Sequence, residues 1–414
     1  MKWLILSESL ELNRTSSGIC NSNIICSLLA LGNDISVMYT HVEGSEPIWL
    51  NGAKLLPIQK DDSNYLPLYI RVPKIRALHT VITGFNYSKK KIITQWKNEI
   101  SKALSKDSYD VILILGSGLS YVPFFALHEL SPKIKWIANI HDPYPLFELP
   151  PPYNKKRRFY MTREGNIFKQ MCSDADGLTF PSQELMEWMS QFNPKIKEKG
   201  MVIPHPGKIA DNIADVNSNL DVNLPLSKFN MVHAGSLLGP RDPKPLLTAY
   251  KQFLEKNPEA VQNSTISVIG KVFDTHGKIE EVMGRFGSNL NIIQRITYKR
   301  VFEILKQSDV NIIIEAKTEI SPFLPGKFSD YISANKPIMS LSPRKSEVRR
   351  LLGYDNVLCT ENGNIEIIER IITELYAQWK TRHIPLNYGE DLKEYIAPLS
   401  VGKSFEAIAR TLTA

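Results

Sequence analysis

Residues 310–342 read VNIIIEAKTEISPFLPGKFSDYISANKPIMSLS. VNIIIEA (310–316) is an apolar run rich in β-branched residues, and such a run fits a strand buried on both faces. A polar loop follows, then a short helix over 328–334, then a second strand, KPIMSLS (336–342). Two buried strands joined by a helix read as one unit of a parallel sheet. Pro325, Gly326 and Lys327 at the helix start would aim backbone N–H groups and one ammonium at an anion. Asp330, one turn on, would accept hydrogen bonds from a diol such as a ribose.

The same alternation extends upstream. FNMVHAGS (229–236) is a strand, a helix over about 243–256 follows, and TISVIG (265–270) and LNIIQRI (290–296) continue the series. An earlier series holds KWLILS (2–7), a helix over about 16–31, DISVMYT (34–40), DVILILG (110–116), KWIANIHD (135–142), GLTFPS (177–182) and MVIPHP (201–206). The pattern occurs twice, and 414 residues suit two domains better than one core. The expected fold class is therefore α/β with two Rossmann-like domains, residues 1–207 and 229–390, joined by a polar linker over 208–228. Ligands of open parallel sheets bind beyond the carboxyl ends of strands, and two facing domains would form one cleft.

Composition narrows the class. Hydrophobic residues at 43% and charged residues at 22% match a globular protein. The opening MKWLILSESLELNRT has too short an apolar run for a secretory signal, and no stretch reaches the roughly 20 apolar residues of a membrane span. A cytoplasmic location is expected. Cys20, Cys26, Cys172 and Cys359 form no CxxC pair and read as small buried apolar residues. The net charge of +7 suits an anionic ligand or an acidic surface, and no nucleic-acid motif accompanies it. Two basic clusters stand out, Lys89-Lys90-Lys91 running on through Lys97, Lys102 and Lys106, and Lys155-Lys156-Arg157-Arg158.

GSLLGPRDPKPLL (235–247) follows the first strand of the second series. Gly235 and Ser236 would let backbone N–H groups approach an anion, and Arg241 would fork onto phosphate. With this loop, PGKFSDYISANKPI (325–338) resembles the donor-site motif of retaining GT-B glycosyltransferases of the family-four-like, group 1 type. Lys327, the acid at 330, Tyr331, Ala334 and Lys336-Pro337 keep the motif's spacing. Asp330 stands where a glutamate is usual, and Pro322 stands where the motif's first glutamate would fall, with Glu319 the nearest acid.

The resemblance implies a GT-B fold, a nucleotide-diphosphate sugar donor linked to UDP or GDP, and a glycan or lipid-linked acceptor. It implies that Arg241 and Lys327 neutralise the diphosphate, with Gly235, Ser236, Pro325 and Gly326 beside it, Asp330 on the ribose, and Ile296 or Tyr298 against the base. His141 and Asp142, in IHDPYP (140–145), would face the transferring sugar or the acceptor, as would Ser17 and Gly18 after the first strand. Glu319, Ser321 and Phe323 would line the sugar site. The helix within 391–414 would pack back onto the first domain. No metal is expected to be obligatory, since no DxD motif stands in a metal-binding context. The leaving phosphate would take the acceptor's proton, so no protein nucleophile is required. The helix over 89–106, with Ile92, Ile93, Trp96, Ile100 and Leu104 as an apolar stripe, would suit an anionic membrane surface as well as a core. A nucleotide-sugar 2-epimerase of the same fold, a two-lobed binding protein and a degenerate transferase are the competing readings.

Overall fold

The computed structural model describes all residues except 14, 45, 60–71, 119, 157–160, 209–222, 238, 273–283, 285 and 295. Arg14, Arg157, Arg158, Arg295 and most of the expected linker therefore lie outside the described residues. Contacts divide the chain into two compact units. The first comprises Met1–Leu149, Asn154–Ile209 and Ala397–Ala414, and the second Pro150–Tyr153 and Ala210–Ile396.

The first unit is built on a seven-stranded parallel sheet. Its strands are β1 (Lys2–Ser7), β2 (Asp34–His41), β3 (Lys54–Gln59), β4 (Val111–Leu115), β5 (Trp136–Asn139), β6 (Gly177–Phe180) and β7 (Gly200–Val202), in the order β3-β2-β1-β4-β5-β6-β7. Successive residues of β1 feed opposite cores. Leu4 and Leu6 pack with Ile112, Ile114, Phe124 and Trp96, whereas Trp3 and Ile5 pack with Leu113, Ile24 and Phe405. A strand covered on both faces must be apolar throughout, which is why KWLIL carries no polar alternation after its first residue.

Two helices illustrate how sequence sets these faces. Thr15 caps the helix Ser16–Ala30 by accepting the Gly18 N–H at 3.0 Å. The C-terminal helix Pro398–Thr413 lies against it. A Cβ on Gly402 would come within 2.9 Å of Leu31 Cδ1 and of the Ser27 carbonyl, so glycine permits the approach that buries Val401, Phe405 and Ile408. In the helix Tyr87–Lys106, Ile93, Trp96 and Ile100 of the expected stripe lie in the core, Leu104 packs partly buried against it, and Ile92 is exposed. Two of its lysines are engaged in ion pairs with the same unit. Lys89 bonds Glu164 at 2.6 Å and Tyr144 Oη at 2.9 Å, and Lys90 pairs with Glu129.

The second unit repeats the plan. Its strands are β8 (Phe229–Ala234), β9 (Ser264–Ile269), β10 (Leu290–Ile293), β11 (Val310–Ile314), β13 (Ile338–Leu341) and β15 (Cys359–Thr360), ordered β10-β9-β8-β11-β13-β15. Counted within the unit this is the order 3-2-1-4-5-6, the same as the first six strands of the other sheet. A two-stranded parallel pair, β12 (Ile320–Ser321) with β14 (Lys345–Ser346), stands beside it. Pro150–Tyr153 joins this unit through Thr318 Oγ1, which donates to the Pro151 carbonyl at 2.7 Å, and through Tyr153 edge-on to Phe323. Among the described residues no helix is long and apolar enough to cross a membrane.

Candidate functional site

In an open sheet of this order the strand sequence reverses between the first and fourth strands, and the crevice beyond their carboxyl ends is the natural ligand position. In the second unit that point lies between β8 and β11. β8 ends at Ala234 and runs into Gly235, which adopts φ 119°, a conformation open to glycine. Gly270, at the end of neighbouring β9, adopts φ 127° and approaches so closely that a Cβ on it would lie 2.9 Å from the Gly235 carbonyl carbon.

Lys327 fills the space above this turn. A Cβ on Gly235 would sit 2.7 Å from Lys327 Nζ, so no residue with a side chain fits there while the lysine keeps its place. Lys327 is the second residue of the helix Gly326–Ser333, whose N-cap Pro325 offers no capping bond. The Phe328 N–H bonds the Pro325 carbonyl at 2.8 Å, and the Gly326 and Lys327 N–H groups before it have no intrahelical acceptor. Tyr331, one turn on, anchors the helix: its buried hydroxyl accepts the Ala234 N–H at 2.8 Å and donates to the Ile312 carbonyl at 3.2 Å.

Arg241 completes a cationic pair. Burial and then the Arg241 charge hold the Lys327 ammonium well below the usual lysine range, against the opposing pull of Glu315. Asn362 fastens the loop that carries Arg241, donating to the carbonyls of Asp242 at 3.0 Å and Glu315 at 2.9 Å. Glu315, at the end of β11, is buried and accepts the Ser321 hydroxyl at 2.5 Å. Burial pushes its carboxyl up to about 7, although Ser321, Arg241 and Lys327 all favour its ionised form. Arg241 and Lys327 stand beside a carboxyl whose neutral form burial favours, an arrangement that suits an anion.

The other candidates of the second unit take definite places. Tyr298, buried at the start of the helix Tyr298–Gln307, donates to Asp330 Oδ1 at 2.6 Å, which ties two residues read separately in the sequence. Ile296 is buried, and Ser236 and Phe323 are half-buried. Glu319 is exposed on the loop before β12, so the carboxylate facing the cations is Glu315. Sequence reasoning passed over Glu315, His233 and Asn362; the two titratable ones ended or lay within apolar strand runs, a polar residue in a buried run being the only signal.

The first unit presents different chemistry at its switch point between β1 and β4. Ser17 Oγ lies 3.4 Å from Ser117 Oγ, and Asn21 reaches the Gly116 carbonyl at 3.0 Å. Gly18 sits where a Cβ would strike the Glu11 backbone at 2.6 Å, so its role is close packing. His141 follows β5, and a Cβ on Gly116 would lie 3.2 Å from its ring. The ring stands edge-on to His205, 4.8 Å between centroids. Burial, and the neighbouring His205, keep His141 neutral, while burial lowers His205 to about 4. His141 Nε2 has no hydrogen-bond partner among the described residues. The Asp142 carbonyl accepts the Tyr121 hydroxyl at 2.7 Å. Among the described residues no group of histidine, cysteine and carboxylate side chains has the geometry of a metal site.

Comparison with known proteins agrees with this architecture. No family model and no curated protein matches the chain. Solved structures do. The UDP-forming α,α-trehalose-phosphate synthase of Burkholderia xenovorans, in complex with glucose-6-phosphate, matches with TM-score 0.63 and 12% identity over 100% of both chains. Sucrose-phosphate synthase of Thermosynechococcus elongatus gives 0.58 and 12%, over 99% of this chain and 97% of that one. The lipopolysaccharide outer core galactosyltransferase WaaB, in its apo form, gives 0.57 and 11% over 99% of both. The fold is the GT-B fold of glycosyltransferases.

Proposed function

We propose that the chain is a glycosyltransferase that moves a sugar from a nucleoside-diphosphate donor to a hydroxyl of a glycan or lipid-linked saccharide, with retention at the anomeric carbon. The observation that carries this reading is Lys327, packed on Gly235 beside Arg241 at the β8–β11 switch point. Breaking the bond from the sugar to the diphosphate builds negative charge on the leaving group, and cations fixed in advance stabilise that charge without reorganising. The helix start at Gly326 adds oriented N–H groups. The new bond joins the acceptor oxygen to the anomeric carbon, and the acceptor's proton leaves with the nucleoside diphosphate. Glu315 favours this site by accepting a proton and so not cancelling the cations. Asp330, oriented by Tyr298, is assigned to the ribose, and Ile296 to the base. The loop bearing Glu319, Ser321 and Phe323 is assigned to the donor sugar, and Ser17, His141 and Asp142 to the acceptor.

The test is calorimetric titration of UDP and GDP in the presence of EDTA. UDP comes first because the trehalose-phosphate synthase of the same fold is UDP-forming. Binding of one nucleotide without metal is expected, and Lys327→Ala should weaken it by about 100-fold or more, since a lost charge-assisted contact to phosphate leaves buried charge uncompensated. Folded protein that binds neither nucleotide sinks the reading.

Peripheral contact with an anionic membrane at the cytoplasmic face belongs to the same proposal, but through a different helix from Tyr87–Lys106, of whose stripe only Ile92 is exposed. The helix Pro73–Thr83 exposes Ile75, Leu78 and Ile82 among the described residues, and carries Lys74 and Arg76 with no acid. Co-sedimentation with phosphatidylglycerol vesicles should occur at low salt and be lost in the double variant Leu78→Glu, Ile82→Glu. Equal sedimentation of both proteins would remove this part.

A further inference from the structure

We propose that His233 is the positioning residue that holds Lys327 for the donor diphosphate; the inference rests on the donor-site reading above. His233 lies inside β8 and is fully buried. Its Nδ1 stands 2.9 Å from the carbonyl oxygen of Ile312 on neighbouring β11. A carbonyl can only accept, so Nδ1 carries the hydrogen. In a neutral imidazole the other nitrogen is then an acceptor, and Nε2 stands 3.1 Å from Lys327 Nζ. The tautomer is thus assigned by the bond to the adjacent strand.

The ring must remain neutral for this to work, and its surroundings enforce that. Burial acts first, then the Lys327 charge; the Ile312 carbonyl opposes them, Arg241 adds to them, and the Gly235 carbonyl opposes them weakly. The Ile312 oxygen receives both the imidazole N–H and the Tyr331 hydroxyl. One backbone atom therefore fixes both the ring that accepts from Lys327 and the helix that bears it. Gly235 closes the remaining side, with Lys327 Nζ and Cε against its Cα hydrogen. A histidine serving only to fill β8 would need its Nδ1–H satisfied and nothing more. Here the second nitrogen faces the one side chain of the helix start that carries charge.

Three variants separate positioning from packing. His233→Asn keeps an N–H for the Ile312 carbonyl and has no group at the place of Nε2. His233→Gln puts an amide oxygen near that place. Lys327→Ala removes the partner. The nucleotide that wild type binds is titrated from pH 6 to pH 9, with thermal unfolding as the check on folding. His233→Asn should weaken binding about 10-fold, and His233→Gln should recover to within about threefold of wild type. Without its acceptor Lys327 gives up its proton more readily, so the pH at which affinity falls should move lower in His233→Asn. Loss of stability alone would not move that midpoint. A folded His233→Asn with wild-type affinity and an unmoved midpoint overturns the inference while Lys327→Ala still certifies the donor site. Absence of nucleotide binding in wild type overturns both. Nitrogen-15 spectra of the imidazole test the contact without ligand: an Nδ1–H tautomer is expected, with an Nε2 shift that changes in Lys327→Ala. An Nε2–H tautomer or an imidazolium at pH 7 would defeat the inference whatever binds.

Discussion

At the end of β8 the second unit sets Lys327 and Arg241 around a glycine turn, whereas beyond the ends of β1, β4, β5 and β7 the first unit sets serine hydroxyls, asparagine and two neutral histidines. The strand order is the same in both sheets for six strands. Topology therefore fixes where a ligand would sit, and the residues after each strand fix which ligand. A half-buried pair of basic side chains suits an anion. Neutral hydroxyl and imidazole groups suit an uncharged hydroxylic partner. On the proposed reading, the second unit would take the charged leaving group and the first the sugar hydroxyl.

The largest expected effect tests whether the two units are separate in stability as well as in chemistry. Phe405 of the C-terminal helix is fully buried in the core of the first unit, with Val401 and Ile408. Phe405→Ala should cost about 3–5 kcal/mol by the transfer and cavity terms for a buried aromatic. Hydrogen exchange should accelerate in β1, β2 and the helix Ser16–Ala30, and little in β8 or β11. Equal acceleration in both sheets would mean that the units unfold as one.

Much of this division is readable in the sequence, and the reasons for the gaps are physical. The doubly covered strands announce themselves because burial on both faces forbids polar residues, as in VILIL of β4. The edge strand β3 does not: KLLPIQ buries only Ile58 and contains Pro57, so neither periodicity nor composition marks it. β15 is two residues long and has no period to read. Within the site, Lys327 and Arg241 follow from loop chemistry close to their own strands. Glu315 and His233 do not, because their roles depend on residues of other strands and helices. The same holds for the bond between Tyr298 and Asp330, 32 residues apart.

Glu315 provides the second test, smaller in size and specific to the cationic unit. Burial raises its carboxyl from an ordinary 4.5 to about 7. The folded state therefore holds the proton more tightly than the unfolded chain. The stabilising contribution is complete below about pH 4.5 and is lost as pH rises through 7. Glu315→Gln carries no such term and keeps an acceptor for Ser321. Its stability relative to wild type should rise between pH 5 and pH 8 by up to about 3 kcal/mol, the free energy of a shift of this size. Denaturant titrations at the two pH values give the comparison. A difference that stays constant with pH would mean that the carboxylate is ionised throughout and that the site is less positive than its geometry indicates.

The smallest effect sharpens the other side of the comparison. His141 is held neutral by burial and by His205, and its Nε2 has no partner among the described residues. If the first unit serves the hydroxylic partner, His141→Ala should leave nucleotide affinity within about twofold of wild type and lower the transfer rate about 10-fold, about 1.4 kcal/mol in the barrier. The rate of the wild-type enzyme should show no titration of this histidine between pH 6.5 and pH 9, because a depressed imidazole is already neutral there. Its protonation lies further toward acid, where activity should fall in wild type and not through this group in the variant. Loss of nucleotide affinity in His141→Ala would break the assignment of charge to one unit and hydroxyl recognition to the other, since a neutral ring would then be contributing to the anion's site.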